Sequence, residues 1–588
     1  MLDPKYLERF SDQLLGIIDT RTIAIISDMA KRIVKMGNVS ESTKHQAEVL
    51  QNAGLVYKDT IKRVSQVSGY QNREVERMYQ EAGVRNLKNE AVYYKQAGKE
   101  AIVKLEQSNG MQRILQANVR KTCQELDNLT MTTAVKTQSA FIQACNKAQM
   151  KVSTGAFSYD KAIADAIKEA AVQGTEVLYP SQHVDKLDVA VRRAVLTGVN
   201  QTAAEMNLQY AKDQNCDYVE TTAHEGARPE HAVWQGKVFC LSGTDLKYEN
   251  FYEATGYGTG PGLCGWNCRH NFHAYFPGIS TQAYTQEMID NYSAKSVTYN
   301  DKQFTEYEAS QMQRGHERQI RETKRKLAGY NSAISEAKDD TLKNTLQNRF
   351  NEESVRLKKQ EAALKAFCKE TGRRYESARV QIYAVKNKAG DIVGFNRSVA
   401  QKAVWQDRKN TFKNQMSKQL EKLTNEEKKA ILRYTGNAAN RVNSAIYSGK
   451  QQRIDQEKGF MDLLDSALSK GTVEHKMVVH RDTIPEYLNA FPKGFQYSEE
   501  DIKRMNGMTL TNKGYTSTSF HDIMYQGRNV HLEIEIHKGY KGCLYIKDVA
   551  TEKYKNQEEV LFKRGFQYKI KSVNKEKDRY YIKAEAVL

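Results

Sequence analysis

Apolar residues recur at helical spacing near the start of the chain, as in Leu7, Phe10, Leu14 and Ile18 and again in Ile26, Met29, Ile33 and Met36. No proline lies between Pro4 and Pro180, so nothing forces a break and a long helical region is predicted. The pattern weakens from about Cys216 to Ser280, where Gly, aromatic, Cys and His residues crowd together and Pro229, Pro261 and Pro277 act as breakers. That stretch predicts a small compact domain with irregular loops. From about Gln311 to Lys369 the chain is again proline-free and heavily charged, with Ile320, Leu327 and Ile334, then Phe350, Leu357 and Leu364, each seven apart. A helical hairpin or short coiled coil follows from that spacing, and an ordinary amphipathic helix pair fits it equally well. Thr424 and Glu427 have the spacing of a capping box at the start of another helix. Beyond Met477 the period changes to two: Val530, Leu532, Ile534 and Ile536 alternate with polar residues, Phe566, Tyr568 and Ile570 do the same, and the chain closes on YYIKAEAVL. Helices first and antiparallel strands afterwards predict an α+β domain.

These patterns make the chain multidomain. A mostly α region spans 1–215, a small α+β Cys/His-rich domain 216–280, a charged helical or coiled-coil region 281–415, and an α+β domain 416–588. A length of 588 residues agrees, since single cores rarely grow past about 250 to 300 residues. Lys and Arg total 89 against 71 Asp and Glu, a net +18. This balance is compatible with contact to an anionic partner such as DNA, but the basic residues are scattered among acidic neighbours and read first as a solvated surface. No apolar run approaches the ~18 residues of a membrane span, and the first residues lack the basic and apolar regions of a signal peptide. No membrane partner is expected. Eight cysteines are too few to staple a chain of this length, which predicts free or metal-bound thiols.

His224, His231, Cys240, Cys264, Cys268, His270 and His273 fall within residues 224–273. Cys264, Cys268 and His270 could present soft ligands to one zinc ion. Their spacing is not that of a standard knuckle, so the favoured expectation is a small core of buried thiols and a hydrogen-bonded histidine beside Trp234 and Trp266.

Three segments near the carboxyl end form a set: VVHRDT with Arg481, GYTSTSF with Ser517, Thr518 and Ser519, and NQEEVLFKRG with Gln557 and Glu559. In order, spacing and strand context they resemble the arginine/serine/glutamate class of ADP-ribosylating toxins. The preceding LTNEEKKAILRYTGNAANRVNSAI is similar to the helical lobe of those exoenzymes. The resemblance covers about 423–588 and implies a helical lobe with two packed antiparallel sheets, and NAD as co-substrate. Cleavage of the nicotinamide–ribose bond builds oxocarbenium character, so a carboxylate near the ribose 2′-hydroxyl stabilises the transition state; Glu559 is the candidate. The family would assign Ser517 to fixing that carboxylate, and Arg481 to the NAD phosphates, which a guanidinium matches in charge and shape. Thr518, Ser519 and Asn443 are further candidates for NAD contact, with Tyr434 on the same helical segment as Asn443. Gln557, expected on the same side of an extended segment as Glu559, and Tyr554 are placed in acceptor recognition. Gln at this position resembles the Rho-modifying exoenzymes, which implies an Asn or Gln acceptor.

The middle of the chain carries Arg228 to His231, Trp234 to Gly236 and Gly262 to His270 within TTAHEGARPEHAVWQGKVFCLSG and GYGTGPGLCGWNCRHNFHAYFPGIS. These resemble the head-morphogenesis domain of phage minor capsid proteins of the Mu F-like kind, and with the flanking helices the resemblance covers about 1–410. It implies portal and capsid partners, possible contact with packaged DNA, and a place in the virion. The two resemblances together imply a phage or prophage minor head protein that carries a protein mono-ADP-ribosyltransferase. The alternatives are a structural head protein whose terminal domain only docks, and an NAD glycohydrolase.

Overall fold

The computed structural model describes residues 2–3, 6–7, 10, 12–36, 42–155, 157–243, 245–382, 385–386, 392–393, 395, 397–484, 488, 504–520, 527–576 and 579–587. Side chains at 12–17, 42–43, 64–71, 408, 412, 554 and 556 also lie outside the description. The chain divides into two compact units, Met1–Ala403 and Val404–Leu588.

Long helices build the first unit: α1 (Asp12–Lys35), α2 (Ser42–Gln96), α3 (Asn109–Ser153), α4 (Tyr159–Gln173) and α5 (Leu187–Asp213). Ile26, Met29 and Ile33 of α1 are buried as their spacing predicts. A three-stranded antiparallel sheet follows, made of β1 (Tyr218–Thr221), β2 (Val238–Cys240) and β3 (Phe272–Ala274) in the order β2-β1-β3. It is small because glycines and prolines occupy much of the chain between β2 and β3, and its core of Val219, Trp234, Phe239, Phe251, Leu263 and Phe272 is completed by Ala204 of α5. The charged segment forms a helical hairpin, α6 (Glu306–Glu336) and α7 (Asp340–Glu370). A capping box of Thr305 with Glu308 opens α6, and the Asp339 side chain caps α7. Ile320, Leu327, Phe350, Leu357 and Leu364 are all buried, so the seven-residue spacing marks the packed seam. One core runs from Ile25 through α3 and α4 to this hairpin.

The second unit takes in the residues of α8 (Arg397–Gln419) from Val404 onward, then α9 (Asn425–Arg433), α10 (Ala439–Ser448) and α11 (Lys458–Ser469). Thr424 and Glu427 form the expected capping box. Strands β4 (Met477–Thr483), β5 (Thr509–Asn512), β6 (Thr516–Ser519), β7 (Val530–Ile536), β8 (Cys543–Tyr545), β9 (Glu559–Phe562), β10 (Phe566–Glu576) and β11 (Arg579–Ala586) come next. They are hydrogen-bonded in the order β5-β10-β11-β7-β4-β6-β9-β8. The expected pair of antiparallel sheets therefore needs two corrections. β7 and β11 run parallel, and the two halves are one hydrogen-bonded set, linked where β4 meets β6 through the single pair His480 and Ser519. That weak link is where Arg481, Ser517 and Glu559 converge.

None of the eight cysteines is joined in a disulfide. Among the described residues no helix is long and apolar enough to cross a membrane.

Candidate functional site

Period-two alternation decides which residues of β6 can act. Ser519 pairs with Glu559 and Ser517 with Leu561, so both serines share a sheet face with the Glu559 carboxylate. Thr518 points the other way, is buried, and donates to the Val560 carbonyl at 2.8 Å. It therefore turns into the core, away from the face that Ser517, Ser519 and Glu559 share. From β4, Arg481 donates from Nη1 to the Ser517 carbonyl at 3.2 Å, which ties the arginine strand to the serine strand at the sheet's narrow link. Burial pushes the Glu559 carboxyl above its ordinary value, while the Ser517 hydroxyl and the Arg481 charge pull it back down. The group thus sits between a desolvating wall and two partners that favour the carboxylate.

The helical lobe supplies the opposite wall. α9 passes into a single π turn at Tyr434–Ala438 before α10 begins, the kind of local widening often found at functional sites. Tyr434 is buried there and its hydroxyl is pushed up to about 12, first by burial and then by the Glu559 charge, against hydrogen bonds with Ser517 and Asn443. Asn443 uses both ends of its amide: Oδ1 accepts from the Tyr515 N–H at 2.9 Å, and Nδ2 donates to the Tyr515 carbonyl and the Tyr434 hydroxyl, each at 3.2 Å. It fastens the entry of β6 to α10. A Cβ on Gly514 would lie 2.4 Å from Asn443 Oδ1, so the clasp requires glycine there.

Between β8 and β9 the chain does not run extended through 557–559. A 3₁₀ helix spans Glu552–Gln557, and Glu558 then adopts φ +47 in the left-handed region. Gln557 is exposed at the end of this turn, with its carbonyl accepting from Ser519 Oγ at 2.6 Å. The Tyr554 side chain is outside the described residues. Because a non-glycine residue in this conformation costs about 1 to 3 kcal/mol, the neighbours must impose it. Glu558 pairs with Lys413, with Lys409 at 3.6 Å and with Lys547 at 3.9 Å. Farther back in the turn, the Thr551 N–H donates to Thr435 Oγ1 of the π turn at 3.1 Å. Sequence reasoning missed this anchoring. Its signal was the four-residue spacing of Lys409 and Lys413, which puts both on one face of α8, but the surrounding helix reads as a solvated charged segment.

In the first unit, the zinc candidates separate. Cys264 turns its thiol to the His270 carbonyl at 3.4 Å. Cys268 and His270 instead meet His231, and all three are buried. Trp234 packs beside them at 5% exposure, whereas Trp266, expected in the same core, is 61% exposed.

A helical unit with a small Cys/His-rich sheet, followed by an α+β unit with Arg, Ser and Glu gathered at its sheet link, defines a two-part protein. Residues 2–369 match the family model described as phage minor capsid protein 2, and residues 409–588 match that of the ADP-ribosyltransferase exoenzyme. The first match spans well over half of the chain, and the chain belongs to the phage minor capsid protein 2 family. It carries an ADP-ribosyltransferase exoenzyme domain at its carboxyl end. A structural protein of Lactococcus phage LL-H is 28% identical over 230 residues, 36% of this chain and 58% of that protein; the chain thus spans little more than half of that relative. The epidermal cell differentiation inhibitor of Staphylococcus aureus is 25% identical over 237 residues, 36% of this chain and 94% of that protein. Among solved structures, Plx2a, an ADP-ribosyltransferase toxin from Paenibacillus larvae, is 26% identical, covering 31% of this chain and 96% of its own, with a TM-score of 0.27. C3stau2 from S. aureus, solved with NAD, is 25% identical, covering 30% of this chain and 93% of its own, also with a TM-score of 0.27.

Proposed function

We propose that this chain is a phage or prophage minor head protein whose second unit is a NAD-dependent protein mono-ADP-ribosyltransferase acting on a host or rival-cell protein. The observation that carries the proposal is the convergence of Glu559, Ser517, Arg481 and Tyr434 at the junction of β4, β6 and β9. In this mechanism the bond from ribose C1′ to the nicotinamide nitrogen breaks, and nicotinamide leaves with the electron pair. An acceptor amide nitrogen attacks C1′ and gives up a proton. Glu559 accepts a hydrogen bond from the ribose 2′-hydroxyl and stabilises the positive charge that builds at C1′. Ser517 holds that carboxylate, Arg481 takes the phosphates, and Ser519 fixes the turn that presents Gln557 to an Asn or Gln acceptor. Asn443 acts through Tyr515 and Tyr434 by positioning them.

The test incubates the full chain with labelled NAD and a bacterial lysate, then maps the modified residue by mass spectrometry. Label on an Asn or Gln of one lysate protein supports the proposal. Nicotinamide release without labelled protein identifies a glycohydrolase, and no turnover from folded protein favours the docking reading.

The pH profile follows from Glu559. A carboxyl raised above the ordinary 4.5 loses its charge, and the enzyme its activity, at a higher pH on acidification than an ordinary glutamate would. Ser517→Ala removes a group that lowers this value, so the acid limb of kcat/KM moves to still higher pH, with a loss of about 10- to 100-fold at the optimum. An unmoved acid limb would remove Ser517 from this role.

In the proposed setting the first unit lies with portal and capsid proteins and next to packaged DNA, from where the enzyme enters a new cell with the genome. The full-length chain is then expected in purified virions by mass spectrometry. Its absence from them would refute delivery while leaving the enzyme intact.

A further inference from the structure

Cys268 lies between two histidines in a way a thiol alone does not explain. His231 Nδ1 and His270 Nδ1 both sit 3.6 Å from its Sγ. The other ring nitrogens are committed: His231 Nε2 donates to the Pro261 carbonyl at 2.7 Å, and His270 Nε2 donates to Gln235 Oε1 at 3.1 Å. A carbonyl can only accept. The Gln235 oxygen also accepts from the His224 N–H at 3.2 Å, which fixes the amide's orientation. Both imidazoles therefore carry their proton on Nε2 and direct an Nδ1 lone pair at the same sulfur. One thiol proton can satisfy only one of them.

We propose that His231, Cys268 and His270 bind one divalent transition-metal ion of the zinc class, with a fourth coordination position open to the adjoining cavity. The three donor atoms lie within 4.8 Å of one another. In a tetrahedral site with Zn–S about 2.3 Å and Zn–N about 2.0 to 2.1 Å, sulfur and nitrogen stand about 3.5 Å apart. The two S···N distances match this already. Two imidazoles and a thiolate suit zinc rather than calcium or magnesium. Acceptors on the distal ring nitrogens are the usual outer partners that orient metal-bound histidines. The backbone is held as firmly: Asn200 Nδ2 of α5 donates to the Cys268 carbonyl at 3.0 Å and the His270 carbonyl at 2.8 Å, and Asn207 Nδ2 donates to the Phe272 carbonyl at 2.7 Å.

All three residues also line a cavity of about 1290 Å³ in the first unit. Water or a small anion from that cavity supplies the fourth ligand. Three protein ligands with one exchangeable position distinguish this site from a closed structural knuckle. Its residues come from two segments, the short helix Pro229–Ala232 and the run into β3, so the metal would staple them together.

The test is cobalt substitution of the purified full-length chain. After chelator treatment and desalting, Co²⁺ is expected to give a thiolate-to-cobalt charge-transfer band in the near ultraviolet together with tetrahedral visible bands. Zn²⁺ is expected to displace the cobalt and to remain at one per chain by elemental analysis. Cys268→Ser loses the charge-transfer band and His231→Ala the stoichiometric metal, while Cys264→Ser keeps both. As a measurement without variants, zinc protects Cys268 from alkylation in the wild-type chain, mapped by peptide mass spectrometry. A natively folded chain with no charge-transfer band, or Cys268 alkylation unaffected by zinc, would overturn the site in favour of an apolar core. A band that survives Cys268→Ser would place the metal elsewhere.

Discussion

Glu559→Gln is expected to lower transfer of ADP-ribose from NAD by about 10³-fold in kcat, with KM for NAD changed by less than about threefold. Glutamine keeps the size of the side chain and its capacity to accept from the ribose hydroxyl. What it removes is the negative charge, which matters most when positive charge builds at C1′. The loss should therefore fall on the transition state and not on NAD binding. The backbone around residue 559 does not depend on the carboxylate: its carbonyl accepts from the Ile546 N–H at 3.0 Å, and β9 keeps its register with β6 through main-chain pairing. A folded variant is thus expected, checked by circular dichroism before kinetics. Nicotinamide release and protein labelling should fall together, because bond cleavage precedes both fates. A variant that turns over NAD within tenfold of wild type would dismiss Glu559 as the charge-stabilising group and assign that role to another residue of the domain.

How far the sequence exposes this site depends on how local each determinant is. Arg481, Ser517 and Glu559 are legible because each lies in a short strand with its own alternation, and a known chemistry links the three. Period two alone also places Thr518 on the other face, since neighbours on a strand face opposite sides. The helical hairpin and the Thr424–Glu427 box are legible for a similar reason, as their partners are three, four or seven residues apart. The turn at Glu558 is not. Its left-handed backbone is imposed by Lys409 and Lys413, more than 140 residues upstream, and a Glu followed by an apolar strand gives no local sign of it. The sequence shows His231 within the Cys/His cluster but not its meeting with Cys268, which lies 37 residues further on. Trp266 shows the opposite failure. A tryptophan beside two cysteines reads as core, yet the glycine-rich loop around it turns its ring outward.

Asp188→Ala is expected to weaken the first unit by about 3 to 5 kcal/mol, the usual cost of leaving a buried charge without its partner. Asp188 lies in the first turn of α5, with Oδ1 2.6 Å from Arg325 and Oδ2 2.8 Å from Arg321. Arg321 also pairs with Asp19 of α1 and donates to the Arg379 carbonyl at 3.4 Å. Two aspartates and two arginines thus form a buried, charge-balanced cluster that joins α1, α5, α6 and the turn at 377–380. Without Asp188 one carboxylate faces two guanidinium groups in a desolvated space. Hydrogen exchange of the full chain should then show α5 and α6 peptides opening about two to four orders of magnitude more readily. Arg349→Ala is the contrasting case: its pair with Glu352 is exposed at 39% and 61%, so its removal should cost less than about 1 kcal/mol. The pH dependence has a definite sign. Burial raises the Asp188 carboxyl, but Arg321 and Arg325 outweigh it and hold the group below the ordinary 3.8. A carboxyl depressed in the folded state stabilises above its unfolded value and loses that contribution as the pH falls through its folded value. The gap between wild type and Asp188→Ala should therefore be full near neutrality and shrink on acidification below 3.8. A gap that widens there would mean that the arginines do not hold Asp188 ionised.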